Sequence, residues 1–81
     1  MKVRVQFFSQ LKDIAGVSGL EVDVADGIAV GGLLGELYTA YPGLRAWDSR
    51  VLIGAGVEFV DRDYVIQPGD EIAIMPPVQG G

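Results

Sequence analysis

The 81-residue chain contains no cysteine and no histidine. Without cysteine there is no disulfide, and redox chemistry says nothing of compartment. Losing both residue types also removes the usual zinc ligands and the commonest nucleophile and base pairs. Conventional catalysis by this chain alone is not expected. Cations are scarce as well: six Lys and Arg stand against eleven Asp and Glu, a net charge of −5. That balance repels a phosphate backbone, so nucleic acid is not an expected partner. It suits a partner with a basic docking face, or simply maintains solubility. Long apolar runs are missing too. None approaches the roughly 20 residues of a membrane helix, and Met1-Lys2-Val3-Arg4 enters an alternating pattern instead of a signal-peptide block. The expectation is a soluble cytoplasmic protein that does not engage a membrane.

Apolar residues are plentiful, at 49% of the chain, enough for one small domain to build a core without staples. Residues 2 to 8 alternate, with Val3, Val5 and Phe7 on one side and Lys2, Arg4 and Gln6 on the other, which predicts a half-buried strand. Ser9 is placed to N-cap a short helical turn through Leu11 and Ile14 that Gly16 closes. Leu20, Val22 and Val24 mark a second strand. After Asp26-Gly27 the period lengthens: Val30, Leu33, Leu34, Leu37 and Tyr41 follow the spacing of one buried helix face, ended by Pro42-Gly43. Gly31, Gly32 and Gly35 lie inside that helix, so its first turn is expected to be loose or unusually close to the sheet.

Residues 44 to 49 read as irregular, anchored by Trp47. Val51-Leu52-Ile53 reads as a central strand, Gly54-Ala55-Gly56 as a turn or bulge, and Val57 to Val60 as a short strand. Asp61-Arg62-Asp63 is a polar turn. Gln67-Pro68-Gly69-Asp70 suits a type II turn, and Glu71 to Met75 forms the last strand. The pattern predicts an α+β domain over residues 1–75, a mixed sheet of four or five strands on one main helix. The β-grasp arrangement fits, with the last strand parallel to the first at the sheet centre.

Two candidate sites are weak. Asp61, Asp63, Asp70 and Glu71 match no complete calcium loop and read as solvated turn residues. Gly54-Ala55-Gly56 is not clearly followed by a helix, as a phosphate cradle requires. The outer sheet face is stronger. If Ile72 and Ile74 point inward, Ala73 and Met75 point out, and Phe8 joins Lys2, Arg4 and Gln6 on that side. Such a patch leads directly into a tail, residues 76–81. Pro76 and Pro77 favour an extended start, while Gly80 and Gly81 allow entry where a Cβ would clash. Extended, the tail reaches roughly 20 Å, and it is expected to order only when a partner supplies contacts. Its terminal carboxylate is inert until activated, for instance by adenylation.

The ending, Gly69-Asp70-Glu71 followed by the Ile72 to Met75 strand, Pro76-Pro77-Val78-Gln79 and Gly80-Gly81, resembles the small subunit of molybdopterin synthase, the MoaD family. Val3 to Gly16 is similar to that family's first strand and helical turn, and Tyr41-Pro42-Gly43-Leu44 fits its helix end. The resemblance implies a ubiquitin-like β-grasp sulfur carrier with a flexible Gly-Gly tail. It implies an E1-like (MoeB-like) enzyme that spends ATP to adenylate the terminal glycine, no cofactor bound by this chain, and a large synthase subunit (MoaE-like) that receives the tail. Gly81 would carry the thiocarboxylate that donates sulfur to precursor Z, Gly80 would supply clearance, and Pro76, Pro77, Val78 and Gln79 would line the tunnel. Met75, where relatives often place an aromatic, would dock with Phe8 and Ala73. One departure stands out: Ile53-Gly54-Ala55-Gly56-Val57 replaces an Ala-Val-Asn-Gly-like turn, so glycine must form that turn without an asparagine side chain. A thiamine-pathway carrier, a ubiquitin-like modifier conjugated through Gly81 and a plain protein-binding module remain alternatives.

Overall fold

The computed structural model describes residues 1–77. Strand β1 (Lys2–Phe7) leads to helix α1 (Gln10–Ala15) and strand β2 (Gly19–Asp23). Helix α2 (Val30–Ala40) and a 3-10 helix (Pro42–Trp47) follow, and then strands β3 (Leu52–Ala55), β4 (Glu58–Val60) and β5 (Glu71–Met75). The five strands form one sheet in the order β2-β1-β5-β3-β4. The expected parallel pairing of first and last strands is present, in the register Val5 to Ile72 and Phe7 to Ile74. Antiparallel neighbours β2 and β3 flank this pair. The arrangement is the expected β-grasp.

One face of the sheet is sealed by α2. Val3, Val5 and Phe7 of β1 and Ile72 and Ile74 of β5 are buried together with Val30, Leu33, Leu34 and Leu37 of the helix. Burial of such side chains contributes on the order of 1.5–3 kcal/mol each. Tyr41, placed on the helix face by its spacing, instead stands just past the helix end, where it meets Phe7 edge to face at 5.9 Å between ring centroids. Tyr38 takes a buried helical position the spacing did not single out.

The start of α2 has no side-chain cap, since Ala29 occupies the N-cap. The free amides of a first helical turn need acceptors, and the chain supplies them from its own backbone: Val30 N–H donates to the Tyr64 carbonyl at 2.9 Å and Gly31 N–H to the Arg62 carbonyl at 3.0 Å. An ideal Cβ on Gly31 would stand 3.5 Å from that Arg62 oxygen. The glycine-rich turn is thus close to the 61–64 loop, where proximity to the sheet was expected.

Three local expectations change. Ser9 sits at the N-cap of α1, but its side chain makes no capping bond and its φ is +53°, while Gly16 closes the helix in the left-handed region as expected. Residues 44 to 49, read as irregular, largely continue a 3-10 helix that begins at Pro42, with proline in a first-turn position where its fixed φ is preorganised. Trp47 does pack partly buried against the core, with the Arg50 guanidinium 4.4 Å from its ring centroid. Finally, Gly54 and Ala55 belong to β3, and the turn is Gly56-Val57, so Val57 does not join β4. Pairing of β3 with both β4 and β5 holds Gly54 extended, which local sequence does not reveal.

A polar knot closes the helix side. Tyr38 donates its hydroxyl proton to Asp48 Oδ1 at 2.6 Å, and Arg62 Nη1 donates to the same oxygen at 2.8 Å while Arg62 Nη2 donates to the Asp48 carbonyl. Burial, then the bond to Asp48, pushes the Tyr38 hydroxyl up to about 12. That folded value lies above the unfolded one, so its contribution is complete below about pH 10 and is lost as pH rises toward the folded value. Tyr38→Phe is expected to cost about 1 kcal/mol in urea unfolding at neutral pH, with the deficit relative to wild type shrinking between pH 10 and 12. At Gly56, φ +63° favours glycine. Replacement by valine is expected to destabilise by about 1–2 kcal/mol, and by asparagine clearly less, because asparagine tolerates this region; thermal melts of the two variants check the order.

Candidate functional site

The inward pointing of Ile72 and Ile74 turns Ala73 and Met75 to the opposite side of the sheet, where both are half-buried. Continuing the β1–β5 register past Phe7 and Ile74 brings Phe8 beside Met75, and Phe8 N–H donates to the Ile74 carbonyl at 3.1 Å. Phe8 is 43% exposed. The three docking residues expected from sequence, Phe8, Ala73 and Met75, are therefore brought together on the outer face. Pro76 and Pro77 follow directly and are partly exposed. Val78, Gln79, Gly80 and Gly81 lie outside the described residues.

The sheet adds residues that the sequence reading did not assign to the site. Leu52 pairs with Met75, and Gly54 pairs with Ala73 on one side and Phe59 on the other. Phe59 stands 71% exposed in an edge strand. One signal pointed there: Phe59 and Val60 are adjacent strand residues, so they must face opposite ways, and Val60 packs on the core. With Phe8, Met75, Ala73 and Gly54, Phe59 surrounds a shallow cavity of about 280 Å³. The Met75 methyl covers Gly54: an ideal Cβ there would stand 3.3 Å from Met75 Cε.

Away from the tail the same face becomes charged. Arg4 is in register with Glu21 of β2 and Glu71 of β5, and Lys2 with Asp23. A second groove runs over Ala73 toward Asp70 and Glu71. The face thus grades from an apolar end beside Pro76 to a charged end beside Gly69.

The turn carboxylates have local structural duties. Asp61 Oδ1 accepts from the Asp63 N–H at 2.8 Å, and Asp70 Oδ2 accepts from the Tyr64 hydroxyl at 2.7 Å and the Gln67 N–H at 2.8 Å. The Asp70 bond raises the Tyr64 hydroxyl above its ordinary range. Among the described residues no three carboxylates are grouped to hold a metal. The Asp48 carboxyl is held below its usual range, chiefly by the Tyr38 hydroxyl, but it serves the helix-side knot and does not reach the outer face.

Comparison with known proteins bears on what such a face and tail do. The ThiS family model matches residues 5–81. A molybdopterin synthase sulfur carrier subunit from Homo sapiens is 35% identical, with 99% of this chain and 94% of the relative covered. Among solved structures, SAMP1 from Haloferax volcanii superposes with a TM-score of 0.85 at 29% identity over the full length of both chains. A chain from the complex of subunits 1 and 2 of molybdopterin-converting factor from Helicobacter pylori gives 0.73 at 26% identity, also over both full lengths. The order of strands, the apolar patch at the end of β5 and these full-length matches agree, and the chain belongs to the ThiS family, sharing the ubiquitin-like β-grasp fold and full-length similarity to molybdopterin synthase sulfur carrier subunits.

Proposed function

We propose that the chain is the sulfur carrier subunit of a molybdopterin synthase. The observation that carries this reading is its full-length similarity to sulfur carrier subunits, and the placing of Phe8, Ala73 and Met75 around the point where the tail leaves the sheet supports it. In this reading an E1-like enzyme binds ATP and joins the Gly81 carboxylate to AMP, releasing pyrophosphate. A sulfur nucleophile then displaces AMP, leaving a thiocarboxylate. The carrier next docks on the large synthase subunit, Pro76 to Gln79 line the path inward, Gly80 gives clearance and Gly81 donates sulfur to precursor Z to build the dithiolene. The pairing of subunits in the related Helicobacter pylori complex supports a large-subunit partner. The reaction belongs in the cytoplasm, needs no cofactor held by this chain and uses residues 76–81 as the tail of a domain of residues 1–75.

Residues 72–75 give the tail a rigid base at the sheet centre, so sulfur transfer depends on the fold chiefly through docking. A thiamine-pathway carrier remains the nearest alternative, against which the Pro76-Pro77 pair speaks. Similarity to the small archaeal modifier SAMP1 supports a second reading, conjugation of Gly81 to target lysines.

Intact-mass measurement of protein isolated from its native cell is expected to show exchange of one oxygen for sulfur, absent when Gly81 is deleted. Unmodified carboxylate alone, in the presence of the cognate activating enzyme, ATP and a sulfur source, would overturn the carrier reading. Lysine adducts would favour the modifier, and rescue of a strain lacking the molybdopterin small subunit separates the two carrier pathways. Met75→Asp is expected to weaken binding to the large subunit by about tenfold or more, since a charge replaces an apolar anchor at the centre of the patch; calorimetric titration measures it.

A further inference from the structure

Gly54 is buried, yet it faces the outer side of the sheet. Its pairing partners on that side are Ala73 and Phe59. A Cβ at this position would stand 3.3 Å from Met75 Cε, 3.6 Å from Ala73 Cβ and 3.7 Å from the Glu58 carbonyl oxygen. Its φ is not in the left-handed region, so backbone conformation does not require glycine here. What the missing side chain provides is space, and the Met75 methyl lies over it.

We propose that Gly54 is a positioning residue for docking: it lets the Met75 side chain lie flat across β3, and the socket so formed receives one large apolar side chain of the large synthase subunit. This rests on the carrier reading above. Three observations argue for that occupant. The cavity of about 280 Å³ is sized for one large side chain instead of a helix, and two of its walls are the exposed rings of Phe8 and Phe59. It opens beside Met75, the residue from which the tail departs, so a protein that takes the tail inward must sit against it. Asp70 and Glu71, which line the adjoining groove, suit an apolar anchor flanked by cations. Apolar anchors in a desolvated pocket with a polar rim typically carry most of an interface's affinity. A side chain at position 54 would lift Met75 into the socket and obstruct the anchor.

The test uses the full chain as wild type, Gly54→Ala, Gly54→Val, Met75→Ala and the Gly54→Val/Met75→Ala double variant. Each is titrated calorimetrically against the large subunit of the cognate synthase, with urea midpoints and the methyl NMR signal of Met75 recorded on the free proteins. Gly54→Val is expected to shift the Met75 methyl signal and to weaken binding about tenfold or more, with Gly54→Ala intermediate. The urea midpoint should change little, because valine suits an extended strand. In the Met75→Ala background the added loss from Gly54→Val should fall to about threefold or less, since effects transmitted through one residue are not additive. Wild-type affinity in Gly54→Val, or a full tenfold loss persisting without Met75, overturns the proposal. If Gly54→Val does not fold, Gly54→Ala decides through the same readouts, with an unshifted methyl and unchanged affinity overturning it. Failure of wild type to bind any large subunit would overturn the carrier reading and the partner named here, while an unshifted methyl signal alone would overturn the positioning role of Gly54.

Discussion

The parallel pairing of β1 with β5 is the contact on which the rest of the structure depends. It joins the first and last strands of the described chain, and its register determines both faces of the sheet at once. Inward, Val5 beside Ile72 and Phe7 beside Ile74 make the apolar strip that α2 covers. Outward, the same register continues to Phe8 beside Met75. A slip of one residue would exchange the two faces, exposing the isoleucines and burying Ala73 and Met75. Burial of the core therefore also determines where the outer patch lies.

Legibility of this arrangement in the sequence follows the range of the interactions. The alternation of Val3, Val5 and Phe7 and the 3.6-residue period of α2 are local, and both survive in the structure. Glu71 to Met75 stands where the pattern places it. Gly54 and Ala55 read as a turn because glycine is a local breaker, whereas pairing to strands on both sides makes them extended. Phe8, Ala73 and Met75 could be assigned to one face by counting, but Phe59 joins them only because β4 lies next to β3. Gly80 and Gly81 were legible as a side-chain-free end whose carboxylate can be activated, and the sulfur chemistry proposed for them came through a resemblance to a family and not through periodicity.

Arg62 illustrates the same limit. In sequence it is the middle of a polar turn. In the fold its carbonyl accepts a hydrogen bond from the Gly31 N–H in the first turn of α2, and its guanidinium holds the carboxylate and carbonyl of Asp48 just beyond the 3-10 helix. One loop residue thereby fastens two helical segments on the closed side of the sheet. The outer face needs no such fastening, which leaves its apolar end available for contact.

The position of β5 also bears on synthesis. A central strand that is also the last of the described elements cannot take its place until all the others have emerged, and contacts between distant segments are slow to form. On a ribosome, β1 must wait for β5 to fill the middle of the sheet, by which time every other described element has emerged. A chain broken off before β5 would lack the sheet's central ladder and the Met75 side of the patch together. Completion of the sheet and completion of the apolar patch are thus a single event, since both wait for the same strand.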